Sequence, residues 1–503
     1  MAITFHENNH DTNGVILNTN AGGQIIVTAF GEVSNPAGDA FALTNANYDL
    51  KVDGLVLSQG FAAGIKLGAM PSGSPASKIV VGSTGYVQAD YSAIQSRQGI
   101  TVTNAGRIDG GTFGINVFDA ISTITITNTG VISGAASAIS VYTTEKVTVT
   151  NKGLLDGGIS SLYGTLTITN TGTITNEISL GELGVAPYND TLVNKGTILG
   201  NVSMGDGNDK LTNSGSIISG APVSMGAGDD IYTGSKREDY VRDEAGKDNY
   251  KLGAGDDVFT ATGTGAAETD GIGKYIQDTV DGGTNGSAYG DTYDASGAIT
   301  TCYINLDTRF QGNQKANTAG GDSIGFDIVK NFENANGGSA GDALFGTKGA
   351  NVLNGNGGWD YILGLEGNDT INGGDGQDQV YGGLGADQLN GGSNDGDADV
   401  FIYNAAADST LALTGRDTVS GFEDGVDKFW LDSFFLDATS TVSEGDAFNG
   451  LANELDIRVL HMAFGWTIQV DVNGDRKADM AIDVLDVTHG ISWSIADFIL
   501  TDV

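Results

Sequence analysis

Residues 337–390 read GGSAGDALF GTKGANVLN GNGGWDYIL GLEGNDTIN GGDGQDQVY GGLGADQLN, six nine-residue blocks without a gap. Sixth place holds Asp342, Asn351, Asp360, Asp369, Asp378 and Asp387, and eighth place holds Leu344, Leu353, Ile362, Ile371, Val380 and Leu389. So short a period means stacked units that share one continuous core. The glycines suit a turn that visits positive φ, and the last three places of each block suit a short strand. Two blocks make one coil, so alternate blocks stack on the same edge. Asp342, Asp360 and Asp378 then line one edge, and Asn351, Asp369 and Asp387 the other, with the eighth-place aliphatics pointing inward.

Stacked carboxylates a few ångströms apart repel one another unless a cation lies between them. Calcium is the hard cation that takes about six to eight oxygens from carboxylates and carbonyls, and an open glycine turn exposes both. The sequence therefore predicts calcium between successive turns of each edge, at ~10⁻⁴ to 10⁻³ M affinity. It further predicts that the tract is unfolded without calcium and folds on binding it. Asn351 brings no charge, so its site is expected to be the weakest.

Working outward, MGDGNDKLT (residues 204–212), MGAGDDIYT (225–233) and LGAGDDVFT (252–260) are isolated copies of the block, with Asp209, Asp230 and Asp257 as further candidate ligands. A different repeat fills the N-terminal half: VTNAGRIDG, ITNTGVISG, VTNKGLLDG, ITNTGTITN, LVNKGTILG and LTNSGSIIS. Its Asn falls at 104, 128, 151, 170, 194 and 213. β-branched residues alternate with polar ones and then turn at Asn-x-Gly. Strands at this spacing, with no helical pattern between them, predict a right-handed parallel β-helix in which the Asn side chains stack coil above coil. The fold class is thus all-β. The β-helix (1–200) grades through degenerate blocks (201–336) into a parallel β-roll (337–400), and a β-rich domain follows (401–503). A short helical turn is expected between Trp493 and Leu500.

Composition narrows the function. The chain carries 24 Lys and Arg against 63 Asp and Glu, a net charge of −39, so no nucleic-acid partner is expected. Cys302 is the single cysteine, so no intrachain disulfide can clamp the fold, and bound metal is the natural substitute. The N-terminus lacks the basic-then-apolar order of a secretory signal, and no stretch approaches the ~20 apolar residues of a membrane span. Cytosolic free calcium is too low to fill weak sites, which favours an extracellular location.

The nonapeptides resemble those of the RTX family, whose members leave the cell by type I secretion. DADVFIY (397–403), DTVSGFEDGVDKFWL (417–431) and DVNGDRKADM (471–480) are similar to the C-terminal domain of serralysin-type metalloproteases, which carries an uncleaved terminal export signal. SWSIADFILTDV (492–503) is similar to that signal. The resemblance implies an ABC exporter, an adaptor and an outer-membrane channel as partners. DVNGDRKAD also offers acidic oxygens, but it lacks the EF-hand glycine and glutamate and reads better as a β-turn.

His6-Glu7-Asn8-Asn9-His10 matches HExxH. That motif needs a helix, and Asn-Asn is poor helix material. The serralysin extension would put Gly at 13 and His at 16, where this chain has Asn13 and Ile16. Catalytic zinc is therefore not expected. The reading is a non-enzymatic, secreted, calcium-stabilised structural or surface protein: a surface-layer, matrix or adhesin component that self-associates or meets cell-surface polysaccharide. The alternative is a polysaccharide-active lyase or epimerase. It would need convergent acid, base and cation residues, and Tyr142, Tyr163, Asp190, Arg97 and Arg107 form no such set in sequence.

Overall fold

The computed structural model describes all residues except 1, 6–14, 19–22, 45–46, 72–73, 182–186, 263–276, 288, 393–395, 432–440, 446, 449–454, 464, 486–489 and 500–503. The chain divides into two compact units, Met1–Gly253 and Ala254–Val503.

In the first unit each coil of the β-helix gives one strand to each of three parallel sheets. One coil supplies Ile100–Asn104, Arg107–Gly110 and Phe113–Phe118, and the next supplies Ile124–Asn128, Val131–Gly134 and Ser137–Tyr142. Period-two alternation puts every second side chain inside. The inward positions are in register from coil to coil. Val102, Ile126, Val149, Ile168, Leu192 and Leu211 form one column. Ile108, Ile132, Leu155, Ile174 and Ile198 form a second, and Ile115, Ile139, Ile159, Ile178 and Val202 a third. None of these is more than 1 % exposed, so the core is three interlocking aliphatic columns.

The repeated Asn-x-Gly forms the corner between the first and second sheets. Here a β-hairpin would reverse the chain, but the corner sends it into a different sheet. The Asn is fully buried at the strand end. Asn104 Nδ2 donates to Asn128 Oδ1 at 2.8 Å, and Asn128, Asn151, Asn170 and Asn194 repeat the bond to the next coil at 2.8–2.9 Å. The same amides also donate to the carbonyls of Val131, Leu154 and Thr173 in the following coil. The Gly is required by close approach. A Cβ on Gly130, Gly153, Gly172, Gly196 or Gly215 would lie 2.1 Å from the carbonyl oxygen of the corner glycine one coil earlier.

The second sheet has nine strands and ends at Ser216–Ile217. Beyond it, within this unit, the coil keeps only two sides: Ile231–Thr233 pairs with residues 249–251, and Val223–Ser224 with Tyr240–Arg242. Tyr232 and Tyr250 take the inward position there and are fully buried.

The second unit is built on two parallel ladders. One aligns Ala335, Leu353, Ile371, Leu389, Val419 and Val484. The other aligns Ile304, Leu344, Ile362, Val380, Phe401, Phe429 and Phe498. The eighth-place aliphatics are thus the core, as their period requires, and all are at most 1 % exposed. The core thickens toward the C-terminus as Val380 gives way to Phe401, Phe429 and Phe498, packed with Phe422 and Trp493. Two antiparallel excursions interrupt the ladders, Thr318–Gly321 between its neighbours and the meander of Asp456–Met462, Gly465–Asp471 and Met480–Leu485. The segment near Trp493 is a 3-10 turn, Ile495–Asp497, closed by a Ser494–Asp497 capping box.

Candidate metal centre

The sixth-place residues sit where the turn enters the strand. Each Asp among them uses one carboxylate oxygen to accept the backbone N–H at the matching place one coil earlier. On one edge Asp342 N donates to Asp360 Oδ1 (2.7 Å) and Asp360 N to Asp378 Oδ1 (2.9 Å). On the other, Asn351 N donates to Asp369 Oδ1 (2.8 Å) and Asp369 N to Asp387 Oδ1 (2.8 Å). All six residues are buried.

The second oxygens of Asp360, Asp369 and Asp387 are buried and accept no hydrogen bond. A carboxylate in such a place is stable only if it is protonated or lies beside a cation. Burial, followed by the charges of Asp378 and Asp342, pushes Asp360 up to about 8. Burial, followed by the charge of Asp387, pushes Asp369 up to about 8. Burial also raises Asp387, to about 6.

Each unpaired oxygen lies over the glycine that opens its block. A Cβ on Gly355 would be 2.1 Å from Asp360 Oδ2 and 2.4 Å from the Gly373 carbonyl oxygen. On Gly364 it would be 2.4 Å from Asp369 Oδ2 and 2.5 Å from the Gly382 carbonyl oxygen. Carboxylate and carbonyl oxygens from adjoining coils therefore converge where only glycine leaves room. A carboxylate oxygen beside a carbonyl oxygen, in a space closed to side chains, is the kind of hard oxygen pair that calcium takes.

A family model described as RTX calcium-binding nonapeptide repeat, in four copies, matches residues 226–259, 336–371 and 363–397. These stretches are RTX calcium-binding nonapeptide repeats. RTX nonapeptides bind calcium, which names the cation that the oxygen pair fits. Among solved structures, the chain is similar to the AlgE6R3 subunit of the Azotobacter vinelandii mannuronan C5-epimerase. The identity is 21 %, covering 32 % of this chain and 79 % of that one, with a TM-score of 0.15. No curated protein matches the chain significantly.

Asn351 is the exception within the RTX tract. Its Oδ1 accepts the Thr347 N–H at 2.7 Å, and its Nδ2 donates to the Glu333 carbonyl at 2.5 Å and to Thr347 Oγ1 at 3.0 Å. The amide is satisfied from both ends by protein groups, so this position needs no ion.

The isolated copies prove less isolated than their spacing implies. Asp209 and Asp230 belong to one ladder in the first unit. Leu166 N donates to Asp190 Oδ1, Asp190 N to Asp209 Oδ1, Asp209 N to Asp230 Oδ1 and Asp230 N to Asp248 Oδ1, at 2.6–2.7 Å. Burial, followed by neighbouring Asp charges, pushes Asp209 up to about 8 and Asp230 up to about 9, and the second oxygen of each is unpaired. Asp257 lies apart, in the second unit, where its N–H donates to Asp291 Oδ1 at 2.7 Å.

Six ladder members were not singled out as ligands from sequence: Asp190, Asp248, Asp291, Asp399, Asp417 and Asp427. Asp378 N donates to Asp399 Oδ1, Asp399 N to Asp427 Oδ1 and Asp387 N to Asp417 Oδ1 at 2.9–3.0 Å. Their signal is the tail of the block without its glycines: Asp, any residue, then a large apolar residue, as in Asp399-Val400-Phe401, Asp417-Thr418-Val419 and Asp427-Lys428-Phe429.

The other candidates are placed differently. HExxH lies outside the described residues. Tyr142 and Tyr163 pair with each other, ring centroids 4.7 Å apart, while Asp190 is buried in its ladder. Arg97 bonds Asp119, and Arg107 bonds Asp109. DVNGDRKAD turns between two antiparallel strands, with Asp471 accepting the N–H groups of Asn473, Gly474 and Arg476. Among the described residues, no helix is long and apolar enough to cross a membrane.

Proposed function

We propose that the chain is a secreted structural or surface protein, a surface-layer, matrix or adhesin component, that folds as calcium enters its RTX ladders. One observation carries the reading: buried carboxylates stack coil upon coil with an oxygen left over at Asp360, Asp369 and Asp387. In this reading Asp342, Asp360, Asp369, Asp378 and Asp387 hold calcium in the regular tract, and Asp209, Asp230 and Asp257 hold it in the outlying blocks. Asn351 holds its turn closed by itself. Weak sites of this kind stay empty in a calcium-poor cytosol and fill outside, so the chain can be exported unfolded and fold after release. Residues 401–503 would serve export through an ABC exporter, adaptor and outer-membrane channel, and residues 1–200 would face a partner. The surplus of acidic groups lets calcium bridge neighbouring copies.

Circular dichroism in calcium and in EGTA tests the folding step, with loss of β signal in EGTA expected. Negative-stain images test assembly: ordered arrays in calcium that disperse in EGTA support it, and identical single particles in both conditions count against it.

A further inference from the structure

The first unit carries a feature that calcium does not explain. A groove of about 590 Å³ crosses four coils where the second sheet turns into the third. That size lies within the range of ligand sites, about 300–1,000 Å³. Its lining includes the backbone of Gly110 and Gly134, which are register partners, and of Gly157 one coil on. One wall is a column of polar side chains in ladder register, Asp109, Ser133 and Asp156, continued by Thr175.

The wall is organised. Asp109 accepts from Ser133 Oγ (2.8 Å), Arg107 Nη2 (2.8 Å) and Tyr86 OH (3.1 Å). Thr175 Oγ1 donates to Asp156 Oδ1 at 2.8 Å. At the same corner, in the coils leading to the groove, three aromatic rings climb the unit. Phe61 and Tyr91 have centroids 6.3 Å apart, and Tyr91 and Phe113 5.7 Å. Phe61 is 98 % exposed, so this stack does not serve the core.

We propose that this groove and its aromatic stack bind an extended, uncharged hexose polymer. The coil spacing, about 4.8 Å, is close to the repeat of one sugar ring in an extended glycan. Successive sugars can therefore meet equivalent polar groups on successive coils. Sugar hydroxyls both donate and accept, which suits a wall of carboxylates, hydroxyls and one guanidinium. Sugar faces rich in C–H bonds suit exposed aromatic rings. A polyanion is disfavoured, because Arg107 is already committed to Asp109 and Asp156 adds a further negative charge. A peptide gains little, because Gly110 and Gly134 lie inside a sheet whose ladder bonds are already made, leaving no free strand edge to extend. The proposal deepens the partner role given above to residues 1–200 and rests on that extracellular placement.

The test uses the full chain in saturating calcium, titrated calorimetrically with cellohexaose, mannohexaose and maltohexaose, and with hexagalacturonate as the anionic probe. Saturable binding of at least one neutral hexaose is expected. Asp156→Asn and Tyr91→Ala should each weaken it about tenfold, the scale of one hydrogen bond to a charged group. Asp156 is exposed, so its substitution leaves folding intact, and melting curves verify both variants. The proposal falls if none of the three neutral hexaoses binds, if hexagalacturonate binds more tightly than all three, or if neither variant weakens binding. A normal calcium-induced β signal alongside absent glycan binding would reject the groove and leave the calcium reading standing.

Discussion

Two ladders of short polar side chains hold this protein's coils in register, and they differ by one functional group. In the corners of the first unit Asn stacks on Asn, and in the RTX tract of the second Asp stacks on Asp. An amide both donates and accepts, so Asn128 gives its N–H to Asn151 while its Oδ1 receives one from Asn104. The column closes on itself. A carboxylate only accepts. Asp369 spends one oxygen on the Asn351 N–H and has no protein donor for the other. The Asp column is complete only with protons or cations. Replacing one NH₂ with O⁻ turns a permanent structural device into one that depends on its surroundings.

Removing calcium gives the largest separation between the two. Hydrogen exchange in EGTA should abolish protection over residues 337–390 while residues 100–175 retain slow amides. Equal loss in both regions would show that the Asn column does not stand without the ion.

Exchanging the groups comes next. Asn151→Asp deletes donors to Asn170 Oδ1 and to the Thr173 carbonyl, and it buries a charge among acceptors. It should destabilise by about 4 kcal/mol in urea unfolding, and a recovery in calcium would show that the freed oxygens of Gly153, Asn170 and Thr173 can take an ion. The opposite swap, Asn351→Asp, puts a carboxylate against the Glu333 carbonyl. In the proposed reading the tract unfolds without calcium, so the cost of about 2 kcal/mol is read at limiting calcium. At saturating calcium the cost should vanish, and equilibrium dialysis should count one more ion per chain. An unchanged count would mean that this turn cannot accept an ion in any form.

Protons probe the Asp column alone. An unfolded carboxyl titrates near 3.9, whereas Asp360 and Asp369 are pushed up to about 8 by burial. Between those values the calcium-free fold holds more protons than the unfolded chain. Its stability therefore falls as pH rises toward 8, contrary to the usual behaviour of an ion-paired Asp. Calcium folds the tract from a chain whose carboxyls titrate near 3.9, so the calcium midpoint of the circular dichroism transition should stay flat from pH 8 to pH 6. A midpoint that weakens about tenfold per unit of pH below about 8 would mean that the metal-free tract is already folded around protonated carboxyls.

Much of this was legible in the sequence because both repeats keep strict registers. Asp342 to Asp387 and Leu344 to Leu389 recur every nine residues, so edge and core follow from counting. Asn104 to Asn213 announce their column in the same way. What the sequence hid has two causes. Coils that carry insertions lose the period: the ladder steps from Asp378 to Asp399, Asp399 to Asp427 and Asp387 to Asp417 span 21, 28 and 30 residues. The end of the second sheet was hidden for another reason. Ser216–Ile217 reads like the strands before it, and whether a further strand stacks on it is decided by the following coil. The groove could not be read either, since Asp109, Ser133 and Asp156 become neighbours only through sheet register.

The two regions also use glycine for different reasons, which yields the smallest effect. Corner glycines such as Gly153 avoid a collision and have ordinary φ, so only Gly fits there. In the four RTX turns that open at residues 355, 364, 373 and 382 the second place adopts positive φ. Gly374 and Gly383 adopt 115° and 99°, but Asn356 and Leu365 hold the equivalent place at 74° and 85°. Asn tolerates that region and Leu does not, at about 1–2 kcal/mol. Leu365→Gly removes that strain and gives back about 0.5–1 kcal/mol through the freer unfolded chain. The calcium-loaded variant should therefore be more stable by about 0.5 kcal/mol, measured against urea with the wild-type chain in parallel. Lower stability would show that the half-buried Leu365 side chain contributes more by packing than its backbone loses by strain.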